Sequence, residues 1–291
     1  MSKTVYVNGE FVAADSARIS VFDRGFLFGD GVYEVIPVVR GRLVDKQHAL
    51  QRLDRSLGAI GMTWPCSREE LIAVLERLLS LDSVTEGSVY LQVTRGAADR
   101  DFAFPKSVNG ERVKESLVAW ASPRKIIDNP LAETGVAVVS IPDLRWKRRD
   151  IKSVSMLAQC LAKQAAVEQG AYEGWMIEDG QVTEGVSSSA FIVKDRVLIT
   201  RALSTSILPG IRRKVIVQMA HDYGIALEER TFTLAEALTA DEAFMSSATT
   251  LVLPIVSIDG ARISTGKPGP VTQRLRAMYV QMLLDEAGKE S

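Results

Sequence analysis

Two segments near the start of the chain repeat apolar residues with the spacing of an amphipathic helix. In 49–60 the apolar positions include Leu50, Leu53 and Leu57, and Arg68–Leu81 repeats the pattern. Residues three and four apart lie on one face of a helix, so both segments are predicted to be helices with that face buried. Three later segments are predicted to be helices on the same grounds: Val154–Glu168, Ile211–Tyr223 and Val271–Asp285.

Shorter apolar runs bounded by turn residues predict strands. Asn8-Gly9 interrupts the β-prone run Val5–Val12, and Asp179-Gly180 separates two further runs, which is typical of hairpins. Other predicted strands are Val32–Val39, Ser88–Thr94, Ser116–Ala121, Gly135–Ile141, Ala190–Val193, Val197–Thr200 and Ala243–Met245. Because strands and helices do not alternate regularly in the second half, its sheet is predicted to be antiparallel rather than a βαβ array.

Two polar stretches bear on the organisation of the chain. Segment 95–115 is too long for a tight turn, and a loop of that length often shapes a site. Residues 122–130 contain two prolines and little periodicity, which suits an interdomain linker. We therefore expect an N-terminal α+β domain over 1–121 and a C-terminal α+β domain over 131–291.

Composition excludes several classes of protein. The 291 residues are 46% hydrophobic, which is enough for two cores, and a net charge of −1 gives no basic field for nucleic acid. The first residues lack the apolar core of a signal peptide and no run approaches a membrane span, so a soluble cytoplasmic protein is expected. Cys66 and Cys160 suit a reducing compartment. His48 and His221 have no metal-ligand spacing, so no metal site is expected.

The candidate chemistry starts from Lys152, which closely follows Arg148 and Arg149. Neighbouring cations disfavour the charged form of an amine, so Lys152 is predicted to lose its proton readily and to form a Schiff base. A predicted hairpin downstream carries Glu184 and the serine run Ser187–Ser189. A carboxylate and hydroxyls are thus expected within reach of the amine. The local pattern alone leaves open a solvated lysine on a surface loop.

Four motifs together resemble those of the fold-type IV pyridoxal-phosphate-dependent aminotransferases over nearly the whole chain. They are DRGFLFGDGVYE at 23–34, YLQVTRG at 90–96, RWKRRDIKS at 145–153 and TEG at 183–185. Within the family the resemblance is closest to the D-amino-acid aminotransferases. It implies a two-domain α+β fold with pyridoxal 5'-phosphate at the domain interface, the Schiff-base lysine in the C-terminal domain, and a homodimer.

The resemblance assigns the central chemistry to Lys152, Glu184 and Tyr33. Lys152 would hold the cofactor covalently and, once displaced by the substrate amine, would move a proton to and from the substrate Cα. Glu184 would pair with the protonated pyridine nitrogen and so keep the ring able to accept electrons. Tyr33 would lie beside the substrate.

The resemblance also implies contacts to the cofactor phosphate. Arg52 matches the arginine that clamps it, although Ala49 stands where the family has a histidine and His48 is expected to be structural. Arg212 and Ala248 replace threonines, so two hydroxyl donors would be lost; the Arg212 side chain would either compensate with charge or point to solvent. The remaining implied cofactor contacts are Ser187, Ser188, Leu208, Ile211 and Ser247.

The substrate carboxylate trap of D-amino-acid aminotransferases maps onto Tyr33, Arg100 and Phe102. The third position is a histidine in that group, and phenylalanine cannot donate a hydrogen bond. Carboxylate binding would therefore depend on Arg100 and Tyr33. The effect of Phe102 on substrate choice stays open. It could favour larger apolar side chains, relax the specificity, or mark a drift toward another acceptor or toward primary amines.

The resemblance thus implies a transaminase that moves the amino group of a D-amino acid, such as D-alanine, to a 2-oxo acid, such as 2-oxoglutarate, by a ping-pong mechanism. Its partners would be these small molecules, with no nucleic acid and no membrane. The alternatives of the same fold are a branched-chain L-amino-acid aminotransferase, an (R)-amine transaminase and an aminodeoxychorismate lyase. A catalytically silent binding protein is the alternative of another class, and the presence of both Lys152 and Glu184 argues against it.

Overall fold

The chain packs as two compact units. The computed structural model describes residues 3–106, 111 and 113–289. The first unit comprises the described residues up to Lys125, the segment Ile151–Ser155 and the end of the chain from Glu286; the second comprises Ile126–Asp150 and Met156–Asp285. Lys152 therefore packs with the first unit, although the sequence assigns it to the C-terminal domain. The predicted domain limits, 1–121 and 131–291 with a linker at 122–130, stay a prediction.

The first unit is built around one antiparallel sheet. Its elements are β1 (Thr4–Val7), β2 (Glu10–Ala13), α1 (Arg24–Phe28), β3 (Gly31–Val39), β4 (Arg42–Leu43), α2 (Lys46–Ala59), α3 (Arg68–Leu81), β5 (Gly87–Thr94) and β6 (Ser116–Pro123). The strands lie in the order β2-β1-β6-β5-β3-β4. Leu53 and Leu57 of α2 and Leu71 and Leu75 of α3 are buried, as their spacing predicts.

The turn chemistry of the first unit is confirmed, and one short helix was missed. Asn8 and Gly9 both have positive φ, 48° and 109°, between the paired strands β1 and β2. The sequence does not predict α1, which spans five residues. Its start is stabilised by Asp23, whose carboxylate accepts a hydrogen bond from the Gly25 N–H at 2.8 Å.

The second unit is built around a mixed sheet. Its elements are α4 (Leu131–Thr134), β7 (Val136–Pro142), α5 (Leu157–Glu168), β8 (Glu173–Glu178), β9 (Gln181–Gly185), β10 (Ser189–Lys194), β11 (Val197–Thr200), α6 (Ile211–Asp222), β12 (Leu227–Glu229), α7 (Leu234–Leu238), β13 (Glu242–Ser247), β14 (Leu251–Ile258), β15 (Ala261–Arg262) and α8 (Pro270–Gly288), whose last residues group with the first unit. The strand order is β12-β11-β10-β13-β14-β7-β8-β9, with β15 beside β14.

The prediction of an antiparallel second sheet is wrong for three strand pairs. Strand β7 is parallel to both β8 and β14, and β11 is parallel to β12. The connection from β7 to β8 contains α5 and is long enough for the crossover that parallel strands require. Ala162 and Ala166 of α5 pack against Ile141 and Met176 of those strands.

The segment 95–115 forms no helix or strand over the residues that the structure describes, as predicted. Its middle, 107–110 and 112, lies outside the described residues. In the described part of the chain, no helix combines the length and the apolar character needed to cross a bilayer.

Candidate active site

Lys152 lies on a short extended segment that pairs with β3 in the first unit. The Tyr33 N–H donates to the Lys152 carbonyl at 3.0 Å. The Val154 N–H donates to the Gly31 carbonyl at 3.1 Å. Lys152 Nζ lies over the Tyr33 ring, 4.1 Å from its centre. An aromatic face attracts a cation, so the Tyr33 ring helps to fix the position of the amine.

A glycine allows the lysine segment to approach α1. Gly29 ends α1 with a left-handed φ of 67°, and a Cβ there would lie 2.3 Å from Ser155 Oγ. That Oγ donates to the Gly29 carbonyl at 3.2 Å. The backbone of Ser153 and Val154 is paired with β3, which explains why α5 begins at Leu157 and not at the predicted Val154.

The two arginines that precede Lys152 are paired with carboxylates in the second unit. Arg148 Nε lies 3.0 Å from Asp150 Oδ1 at the surface. The buried Arg149 Nη1 lies 2.8 Å from Glu178 Oε2 and 3.3 Å from Asp143 Oδ2. These carboxylates balance both positive charges. The position of Arg148 and Arg149 just before Lys152 in the sequence is therefore not evidence that the lysine has a cationic environment.

Arg52, the predicted phosphate clamp, forms a buried two-point ion pair with Glu34 in the first unit. Its Nε donates to Glu34 Oε1 at 2.8 Å and its Nη2 donates to Oε2 at 2.7 Å. The two side chains are 9% and 1% exposed. Such a pair uses one edge of the guanidinium plane and fixes the direction of the rest. Glu34 is thus an orienting partner that sequence reasoning missed.

The predicted substrate residues Arg100 and Phe102 lie on an exposed loop of the first unit. The Phe102 side chain is 80% exposed. The Arg100 guanidinium lies 5.7 Å from the centre of the Phe102 ring and 5.4 Å from that of Phe28. These two rings are 5.6 Å apart. Phenylalanine at this position therefore contacts the arginine through its ring, in a place where the family's histidine would offer a hydrogen-bond donor.

Glu184, the predicted partner of the pyridine nitrogen, is buried in a charged network of the second unit. Its Oε1 lies 2.5 Å from Arg145 Nη1, and the Leu208 N–H donates to both of its oxygens at 3.1 and 3.2 Å. Arg145 also pairs with Asp143 at 2.7 Å, and Thr183 Oγ1 donates to the same Asp143 oxygen at 2.7 Å. Leu208 thus contributes through its backbone, which orients the carboxylate.

Burial raises the pKa of the Glu184 carboxyl above its usual range, and Arg145 and the Leu208 amide only partly oppose this. A more basic carboxyl is closer in proton affinity to a pyridine nitrogen. Among the described residues, Oε2 accepts only the long bond from Leu208, so it can accept another donor. This arrangement fits a protonated ring nitrogen.

The predicted serine pair is held by a buried carboxylate that sequence reasoning did not single out. Ser187 donates to Glu173 Oε1 from its N–H at 2.9 Å and from its hydroxyl at 2.6 Å. The Ser188 hydroxyl donates to Glu173 Oε2. A hydroxyl has one proton to donate, so in this arrangement both side chains face any ligand only as acceptors.

The start of α6 offers the predicted anion site. Its N-cap is Gly210, which makes no side-chain hydrogen bond to the first-turn amides, and Ile211 is the first helical residue. The N–H groups of a first turn have no partner within the helix and favour anions. The Arg212 side chain, however, is buried and donates to the Tyr279 hydroxyl at 2.6 Å. The alternative in which it points to solvent is therefore wrong.

The end of β13 and the turn after it carry the other predicted phosphate contacts, Ser247 and Ala248, both half-buried. Ser247 Oγ lies 2.8 Å from Thr250 Oγ1. Leu251, at the end of the loop, has a φ of 54°, which is uncommon for leucine. Strain of this kind concentrates at ligand-binding loops. In the second unit, the α6 amides, the hydroxyl loop and Glu184 thus fit a phosphorylated pyridine.

The sequence comparison agrees with this site chemistry. Residues 31–258 match the family described as amino-transferase class IV. The chain therefore belongs to the class IV aminotransferases, as the motifs predict.

Individual relatives cover nearly all of the chain. It is 40% identical to the D-alanine aminotransferase of Staphylococcus aureus strain N315 over 94% of its own length and 95% of that protein. It is 37% identical to the D-alanine aminotransferase of Bacillus licheniformis over 98% of its own length and 99% of that protein. Among solved structures, the branched-chain amino acid aminotransferase of Escherichia coli superimposes with a TM-score of 0.86 at 23% identity, covering 97% of this chain and 95% of that one. This last likeness establishes the fold alone and confirms the predicted fold class.

Proposed function

We propose that this class IV aminotransferase moves the amino group of a D-amino acid, such as D-alanine, to a 2-oxo acid, such as 2-oxoglutarate, in two half-reactions. The observation that carries the proposal is the placement of the Lys152 amine on the face of Tyr33. Two relatives at 40% and 37% identity that are D-alanine aminotransferases support the choice of substrate.

Pyridoxal 5'-phosphate, when bound, supplies an aldehyde that takes up the amino group and a ring that accepts electrons. Lys152 would hold it covalently and Glu184 would bind its ring nitrogen. Its phosphate would be held by the first-turn amides of α6, by Ser247 and Ala248, and by Arg52.

Lys152 would move the proton at the substrate Cα, because its amine is freed when the substrate amine takes its place. Glu184 would hold a proton at the ring nitrogen, since its raised pKa suits a shared proton and Arg145 keeps the carboxyl oriented. Tyr33 would orient the lysine amine through its ring. The three residues would thus act on three different atoms: the substrate Cα, the ring nitrogen and the nitrogen of the lysine amine.

Arg100 would bind the substrate carboxylate, with Tyr33 as the second donor. No described carboxylate lies within ion-pair distance of the Arg100 guanidinium, which lies instead near two aromatic rings. Aromatic neighbours orient a guanidinium without neutralising it. The charge is then available for a substrate anion.

We further propose that the protein acts as a cytoplasmic homodimer in which the outer face of α5 meets a second copy. Leu157 and Leu161 lie one turn apart on this helix and are 74% and 59% exposed. The free cysteines Cys66 and Cys160 suit a reducing compartment. Light scattering should give the mass of a dimer for the native protein and of a monomer for a Leu157→Lys, Leu161→Lys variant. Tyr223→Lys, at another exposed apolar position, should leave the dimer intact; a monomeric native protein would contradict the proposal.

The substrate proposal is tested by following the absorbance of the cofactor-loaded enzyme with single substrates. D-Alanine should convert it to the amino form, and 2-oxoglutarate should then restore the starting spectrum. L-Leucine and an (R)-amine should react slowly or not at all, and Lys152→Ala should not respond to any substrate. Fast conversion by L-leucine or the (R)-amine, with none by D-alanine, would overturn the assignment.

A further inference from the structure

One carboxylate in the first unit joins two buried arginines. Asp30 Oδ2 accepts from Arg24 Nε and from Arg95 Nε, each at 2.8 Å, and Asp30 Oδ1 accepts from Arg95 Nη2 at 3.0 Å. Arg24 and Arg95 are 2% and 8% exposed. Burial would raise the pKa of Asp30, but the hydrogen bonds from the two arginines outweigh it and lower the pKa below its usual range. The carboxylate is therefore charged at neutral pH.

Arg24 uses its other nitrogens to bind the backbone of the loop that carries Arg100 and Phe102. Its Nη1 donates to the carbonyls of Asp101 at 2.6 Å and Ala103 at 3.3 Å. Its Nη2 donates to the Phe102 carbonyl at 3.4 Å. These three consecutive residues belong to no helix or strand. Contacts of this kind give a loop a defined course that its own backbone does not provide.

Arg95 ties the same carboxylate to the rest of the unit. Its Nη2 donates to the Ile60 carbonyl at 2.7 Å, beyond the end of α2. Its guanidinium carbon lies 3.6 Å from the centre of the Phe104 ring, which covers it. Asp30 thus sits between an arginine anchored to the body of the unit and an arginine anchored to the loop.

Phe28 lies between this cluster and the loop side chains. Its ring centre is 4.8 Å from the Arg24 guanidinium and 5.4 Å from the Arg100 guanidinium. It also contacts the Phe102 ring. A shift of Arg24 would therefore move both the backbone of the loop and the surface on which Arg100 lies.

We propose that Asp30, acting through Arg24, is a positioning residue for substrate recognition: it fixes the loop that presents Arg100 and Phe102. The inference rests on the proposed role of Arg100 in binding the substrate carboxylate. Asp30 is proposed to act without touching substrate or cofactor. Its loss should therefore weaken substrate binding and leave cofactor loading unchanged.

The test uses Asp30→Asn in the cofactor-loaded enzyme, with Glu236→Gln as the matched control. Glu236 also pairs with an arginine, Arg230, at 2.5 Å, but it belongs to the second unit. Asp30→Asn should raise KM for D-alanine by about tenfold to a hundredfold, the scale expected for a displaced binding group, with kcat within about twofold. It should also speed tryptic cleavage after Arg100, followed by mass spectrometry. Glu236→Gln should change neither.

Arg24→Lys is the second variant, in case Asp30→Asn does not fold. Lysine can still pair with Asp30 but cannot reach three carbonyls, so both effects should recur. Unchanged cleavage in a folded variant would overturn the clamp, and faster cleavage with unchanged KM would overturn its role in recognition. If the native enzyme does not use D-alanine but cleavage still accelerates, the substrate proposal fails and the clamp stands.

Discussion

The residues assigned to the cofactor and those assigned to the substrate lie in opposite physical environments. Glu184 and Arg52 are buried, and each is held by a charged partner and directed hydrogen bonds. Arg100 and Phe102 lie on an exposed loop, and their side chains contact mainly aromatic rings. Buried charge pairs fix direction at a high desolvation cost, whereas exposed aromatic contacts tolerate substitution. The difference suggests a fixed chemistry with an adjustable choice of substrate.

Glu184→Gln should have the largest effect on the buried side of this comparison. Glutamine keeps the shape but cannot hold a proton on a ring nitrogen, and the side chain 2.5 Å from Arg145 would lose its negative charge. We expect kcat to fall by at least about a hundredfold, the lower range for removing an acid or base, with the cofactor still bound. Stopped-flow half-reactions measure this, and Glu178→Gln is the control. Near-normal kcat would contradict the proposed role of Glu184.

Glu34→Gln tests whether the orientation of Arg52 matters. Removing one charge of a buried ion pair typically costs about 3–5 kcal/mol, because the other charge stays buried without the opposite charge that balanced it. We expect a lower free energy of unfolding and weaker cofactor binding, measured by equilibrium dialysis of pyridoxal phosphate. Loss of stability with unchanged cofactor affinity would show that the pair supports the fold and has no part in phosphate binding.

Phe102→His tests the exposed side. A histidine donor would add one hydrogen bond to a bound carboxylate, worth about 0.5–1.5 kcal/mol. We expect KM for D-alanine to fall by roughly threefold to tenfold, since RT ln 10 is about 1.4 kcal/mol. Phe11→His, in β2, is the control. No change in KM would mean that this corner does not contact the substrate carboxylate.

The smallest effect is expected at the edge of the buried network. Hydrogen bonds from Arg149 and Lys147 lower the pKa of Glu178 to about 2. A depressed pKa contributes stability above the unfolded value, near 4.5, which is lost as pH falls toward about 2. Glu178→Gln should lower the free energy of unfolding by about 1 kcal/mol at neutral pH. In denaturant titrations that difference should vanish near pH 2; a constant difference would exclude the ion pair as its cause.

Much of the fold follows from local pattern. The apolar spacing of α3 and the Asn8-Gly9 and Asp179-Gly180 turns are local signals, and all of them are confirmed. The mixed second sheet was missed because strand direction depends on crossover connections that no short segment encodes. The start of α5 was misplaced because backbone pairing with β3 outcompetes helix propensity there.

From the sequence, site residues could be predicted only where a motif identifies them. The motifs supply the identities of Lys152 and Glu184, but the residues that orient Arg52 and Ser187 are distant in sequence. Glu34 lies eighteen residues from Arg52, and Glu173 lies fourteen from Ser187. Such pairings depend on tertiary packing, so spacing alone could not reveal them. The sequence offered one signal of these pairings, an acidic residue within an otherwise apolar strand. Such a residue is expected to be buried, and a buried charge needs a partner.

The central claim is that the cofactor is bound covalently at Lys152. Borohydride reduction of the native enzyme loaded with pyridoxal phosphate, followed by tryptic mapping and mass spectrometry, tests it directly. We expect the reduced adduct on Lys152 and its loss in Lys152→Ala. An adduct on a different lysine, or no adduct in an enzyme that still transaminates, would contradict it.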